Sequence, residues 1–129
     1  MLTVLFTCEL HAQWEGTGEL YGNYVDCFLL NNTNLFAGTN GGGVFLSTNN
    51  GKSWEQVNAG LSNNYVCALA ASGTNLFAGT EDGVFLSTDN GANWRSVSNG
   101  LANRFVLALA VRGTKLFAGT WGGGIFVTT

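Results

Sequence analysis

The chain has 129 residues, 46% of them hydrophobic, which fits one folded domain and excludes a disordered chain. Only 10% are charged, against about 25% in ordinary globular domains, and the net charge of −3 comes from scattered single residues. The five lysines and arginines do not cluster, so nucleic acid is not an expected partner, and no run reaches the ~18 apolar residues of a membrane span.

Taken in chain order, residues 1–12 read as a truncated signal peptide. Leu2 to Thr7 form the end of an apolar region, and cleavage after Ala12 leaves Gln13 as the first mature residue. No Lys or Arg precedes the run, as expected of a leader that lacks its beginning. A second reading stays open: Val4, Thr7 and Trp14 fall forty residues before Val44, Ser47 and Trp54, which makes the segment a decayed copy of the repeat that follows. Phe6 and Thr7 are a poor fit to a lipid-attachment site at Cys8. The cysteines, Cys8, Cys27 and Cys67, are too few and irregular for a disulfide framework or a zinc site, and read as small apolar fillers.

From residue 24 onward the sequence repeats. LFAGT occurs at Leu35–Thr39, Leu76–Thr80 and Leu116–Thr120, and the similarity extends over units of about 24–63, 64–103 and 104–129. A period near forty is shared by helical solenoids and propeller blades, so the pattern inside the unit decides. Tyr65–Ala71 is an unbroken apolar run, expected to be an innermost strand covered on both faces. Asn75–Thr80, Val84–Ser87 and Trp94–Val97 follow as short strands joined by turns rich in Gly and Asn, which supply positive φ. Nineteen glycines and no proline agree. The expected fold is all-β, with about three β-propeller blades of four antiparallel strands in an open or incomplete propeller.

The turn between the third and fourth strands carries a motif. Ser87, Asp89, Gly91 and Trp94 fit S-x-D-x-G-x-x-W, and Ser47, Asn49, Gly51 and Trp54 repeat it with Asn for Asp. The spacing lets the Ser and Asp or Asn oxygens accept backbone N–H bonds within the turn, with Gly left-handed and Trp folded over it. On these residues, residues 14–129 resemble the Asp-box, or bacterial neuraminidase repeat, β-propellers, a group that includes sialidases, sortilin ectodomains and a photosystem assembly factor. The chain is most similar to repeat arrays in secreted bacterial proteins, where a leader ending in AQW runs into the first blade. The resemblance implies a secreted, periplasmic or cell-surface location and Asp-boxes on the blade periphery, away from any ligand site.

Catalytic groups are not expected. The one histidine, His11, lies in the leader segment, which leaves no imidazole base or His–carboxylate metal site in the mature chain. Arg95, Arg104 and Arg112 occupy unlike places in the repeat, so a sialidase-like arginine triad is not formed. No cofactor is implied. Ligand contacts are expected where loops depart from the repeat: Trp121 stands where the other copies have Asn40 and Glu81, and its indole suits stacking on a sugar or anchoring a protein, against packing on a neighbouring loop. Glu81 and Asp82 suit sugar hydroxyls or a cation, against a solvated turn, and Tyr21 is a further candidate contact. Asp26 aligns with Cys67 and Leu107 inside an apolar strand, so either the outer face of blade one is exposed or Asp26 lines a polar axial channel.

Three blades do not close a ring, since propellers have about four or more. The sequence is therefore expected to belong to a longer protein, or to associate through its open blade faces. The leading functional expectation is a secreted or cell-surface binding scaffold for a protein or glycan; the alternatives are the non-catalytic portion of a sialidase-like glycosidase and an assembly-factor-like propeller.

Overall fold

The computed structural model describes residues 13–17, 20 and 23–129. The leader reading of residues 1–12 and the contact reading of Tyr21 lie outside the described residues. Among those described, every regular element is a strand. The first sheet holds β1 (Tyr24–Asn31), β2 (Asn34–Asn40), β3 (Gly43–Ser47) and β4 (Glu55–Gln56). The second repeats it with β5 (Val66–Ser72), β6 (Asn75–Thr80), β7 (Gly83–Ser87) and β8 (Arg95–Ser96). The third has β9 (Val106–Arg112), β10 (Lys115–Thr120) and β11 (Gly124–Val127). Strands follow one another in sequence order and pair antiparallel throughout. This is the all-β, open blade array expected from the repeat.

The fourth strand is shorter than the apolar pattern predicts. Trp94 leaves the ladder because its N–H donates to Ala59 O of the preceding blade at 2.8 Å, while Val97 N still reaches Val84 O. LFAGT also explains itself. The threonine hydroxyls of Thr39, Thr80 and Thr120 donate to the carbonyls of Gly43, Gly83 and Gly124 at 2.9–3.0 Å and close the second turn of each blade. The glycine admits a neighbour: a methyl at Gly38 would stand 2.8 Å from Val66 Cγ1, and one at Gly79 2.8 Å from Val106 Cγ1.

Blades stack with β1, β5 and β9 side by side, and the core lies in the two seams between sheets. Phe36 and Val44 of blade one meet Leu76, Ala78 and Phe85 of blade two in the first seam. Val84 meets Val106, Leu116 and Ala118 in the second. At about 25 cal/mol per Å² of apolar area removed from water, these seams are the main stabilising feature. On the two outermost faces Leu30 of blade one is 69% exposed and Ile125 of blade three 79%.

Each innermost strand is bulged at one place. The registers of β1, β5 and β9 skip Asp26, Cys67 and Leu107, the three aligned residues. A bulge re-aims a side chain, so Asp26 is exposed and keeps its carboxylate in water.

Candidate functional site

Each blade has two ends. The second-to-third-strand turns lie where the first strand begins, because Tyr24 pairs with Asn40 in register. β3 and β7 then carry the chain to the other end, where the Ser47–Trp54 and Ser87–Trp94 turns sit. The structure therefore separates the two groups of candidate residues.

At that end, Ser87 Oγ accepts from Gly91 N at 2.9 Å and donates to Asp89 Oδ1 at 2.8 Å. Asp89 Oδ1 accepts from Asn93 N and Oδ2 from Asn93 Nδ2, both at 2.9 Å. These bonds hold the Asp89 carboxyl below its ordinary range, the Asn93 side chain contributing most. Blade one builds the same turn with an amide: Ser47 Oγ accepts from Gly51 N at 2.8 Å, and Asn49 Oδ1 accepts from Ser53 N at 2.9 Å. Gly51 and Gly91 have φ of +81° and +85°, and the preceding Asn50 and Asn90 are also left-handed, a pair of positions the sequence reading leaves to glycine alone. Trp94 covers Gly91 and is buried; Trp54 is half-buried and its ring lies 6.4 Å from that of Phe28. The side chains of Ser47, Asn49, Ser87 and Asp89 are engaged in holding their turns, which gives these residues a structural task.

At the opposite end the blades are laced together. Gly41 N and Gly43 N donate to Asn64 O at 3.0 and 2.9 Å, and Gly83 N to Arg104 O at 2.7 Å, so each turn is fixed by the segment entering the next blade. Asn40 bridges to Tyr65, whose ring lies against Gly41. Trp121 is held hardest. Its N–H donates to Phe105 O at 2.9 Å and its carbonyl accepts from Asn103 Nδ2 at 2.7 Å. Its indole stacks on Phe105, centroids 6.0 Å apart at 25°, yet 66% of the residue remains exposed.

Asn40, Glu81 and Trp121 thus stand at one end on three successive blades, all exposed. Asp82 faces Arg104 at 3.7 Å, a solvated pair worth about 0–1 kcal/mol. The structure brings three aromatic residues to this row, Tyr24, Tyr65 and Phe105, of which the sequence pattern placed Tyr65 at the start of an apolar strand. Tyr24 is 78% exposed. Their signal is an aromatic residue at the same place in all three copies, 41 and then 40 residues apart. Below them lie Cys27 and Cys67. Burial first, and then nearby charge including Asp26, pushes the Cys27 thiol up to about 11; Cys67 is raised for the same reasons, with Glu81 adding to Asp26. Both stay protonated at neutral pH and are poor nucleophiles.

No family model matches the chain, and no curated protein matches it. Solved structures do. An ancestral GH74 enzyme superposes with a TM-score of 0.67 at 25% identity, over 77% of this chain and 14% of that one. The extracellular domain of the one-component system BT4673 from B. thetaiotaomicron gives 0.67 at 21% identity, over 82% and 15%. YCF48 from Cyanidioschyzon merolae gives 0.63 at 21%, over 82% and 34%. These are β-propeller proteins, and this chain has the fold of part of a β-propeller, spanning about a third or less of their lengths.

Proposed function

We propose that the chain belongs to a secreted or cell-surface, non-catalytic β-propeller scaffold that binds a neutral glycan along the turn end of its blades. The observation that carries this is Trp121: an indole left two-thirds open to water while its backbone and ring are fixed by two hydrogen bonds and a stack on Phe105. An aromatic platform ordered before binding loses little entropy when a ligand arrives. Tyr65 and Tyr24 continue the row at blade intervals, suited to successive pyranose rings, and Asn40 and Glu81 supply hydrogen-bonding groups between them. Asp26 and Glu81 on that side, with Arg104 facing Asp82 and a net charge of −3, disfavour anionic sugars. The extracellular domain of BT4673 shares the fold, which accords with a surface location.

The likeness to GH74 enzymes supports a second reading, in which the chain is a non-catalysing portion of a glycosidase. A glycan array probed with the wild-type chain and with Trp121→Ala tests the proposal. Neutral oligosaccharides retained by the wild type, lost in the variant and recovered uncut are the expected result. Retention of acidic glycans only, or retention that ignores Trp121, overturns it.

A further inference from the structure

A glycine that follows asparagine or aspartate marks a place where a polypeptide can modify itself. Without a Cβ, the glycine leaves its nitrogen unshielded and free to reach the carbonyl carbon of the preceding side chain. Such pairs stand at Asn40–Gly41, Asn50–Gly51, Asp82–Gly83, Asn90–Gly91 and Asn99–Gly100. All lie in or beside turns, yet they are held very differently.

In all but the last, the glycine N–H is committed to an acceptor. Gly51 N and Gly91 N donate to Ser47 Oγ and Ser87 Oγ at 2.8 and 2.9 Å, and both glycines are buried. Gly41 N donates to Asn64 O at 3.0 Å and Gly83 N to Arg104 O at 2.7 Å. Attack requires the nitrogen to leave its acceptor, lose its proton and swing onto the side chain, so each bond holds its pair back. Asn99–Gly100 has no such restraint. Its turn is closed by Leu101 N on Ser98 O at 3.0 Å, outside the pair, and both residues of the pair are exposed. Among the described residues, Gly100 N has no acceptor. This belongs to the turn itself. Blade one repeats it with Leu61 N on Asn58 O at 2.9 Å, and Ala59 and Gly60 are exposed there even with Trp94 of blade two against them. What differs is the residue, Asn99 where blade one has Ala59.

We propose that Asn99 is a site of self-modification, converted without an enzyme to aspartyl and isoaspartyl forms while the other pairs stay intact. Gly100 N gives its proton to hydroxide and bonds to Asn99 Cγ. The Cγ–Nδ2 bond breaks, and the nitrogen leaves as ammonia with a proton from water. Water then opens the cyclic imide at either of its carbonyls; nothing is oxidised or reduced. Both products add a negative charge beside Ser98, whose hydroxyl holds the backbone of Val84. The isoaspartyl form also lengthens the main chain between Ser98 and Leu101. Since Leu101 packs in the second seam, that form loosens it.

The test incubates the full-length chain in warm, mildly alkaline water enriched in heavy oxygen, then maps its peptides by mass spectrometry. Only sites hydrolysed during incubation take up the label. It is expected first at Asn99, with Asn40, Asn50 and Asn90 slower by at least about 10-fold. In urea the restraints are gone, and those three catch up with Asn99. Asn99→Ala, which copies blade one, keeps the circular dichroism of the wild type and yields no early acidic species on anion exchange. Label spread evenly over the pairs of the folded chain, or reaching Asn50 or Asn90 ahead of Asn99, overturns the proposal. So does a folded chain unlabelled at Asn99 for as long as the chain in urea takes to label there, or an early acidic species that persists in Asn99→Ala.

Discussion

The indole of Trp94 is hydrogen-bonded to the backbone carbonyl of Val57 at 2.8 Å, joining the Ser87–Trp94 turn of one blade to the end of the last strand of the blade before it. Trp94 covers its own turn and also fastens adjacent blades. Trp94→Phe, which keeps most of the ring and loses the donor, is expected to destabilise the chain by about 1 kcal/mol, and Trp94→Ala by about 3–5 kcal/mol. Urea midpoints at constant slope measure both. Equal losses in the two variants would show that the hydrogen bond and the packing are not separable as described.

Gly91 is buried at φ +85°, and a methyl there would press to 3.2 Å from Val57 Cγ2. Gly91→Val is expected to cost roughly 1–3 kcal/mol through its left-handed backbone, with the crowding against Val57 adding to that. An unchanged melting temperature would contradict the turn geometry.

Asp89 makes the turn of blade two sensitive to acid where that of blade one is not. Its folded-state pKa is depressed, so its contribution is present above the unfolded value of 3.8 and is lost as pH falls through the lower folded value. Asp89→Asn copies Asn49, but its amide cannot accept from Asn93 Nδ2 through a second oxygen as the carboxylate does. The variant should be less stable than the wild type at neutral pH, and the gap should narrow on acidification below 3.8. Thermal melts across pH 2–7 check this; a gap that widens in acid would reverse the sign.

Trp121 belongs to the opposite class. Exposed and outside both core seams, it should be replaceable by Ala within about 0.5 kcal/mol of wild-type stability. A larger loss in chemical unfolding would make its stack on Phe105 a folding contact instead of a platform.

The strand order was legible because Gly, Asn and Thr punctuate every copy at the same offsets, and turn chemistry is local. The blade-to-blade use of Trp94 was not, since its acceptor is a carbonyl 37 residues away and any residue type supplies a carbonyl. The bulge was hidden for a related reason. Asp26, Cys67 and Leu107 share a position but no chemistry, so the sequence offered an exposed outer face or a polar channel for Asp26 without showing the bulge; the structure leaves it exposed. Of the site, Trp121 stood out as a break in the repeat, whereas Tyr24, Tyr65 and Phe105 conform to it and were absorbed into the apolar run.

The measurement that bears most directly on the role assigned to the turn end is a titration of the ¹⁵N-labelled chain with a retained neutral oligosaccharide, followed by amide and indole resonances. Shifts are expected at the Trp121 indole and at Tyr65, Glu81 and Asn40, with Ser87–Trp94 unmoved. Shifts gathered at the Ser47–Trp54 and Ser87–Trp94 turns, or none at the aromatic row under saturating sugar, would contradict that role.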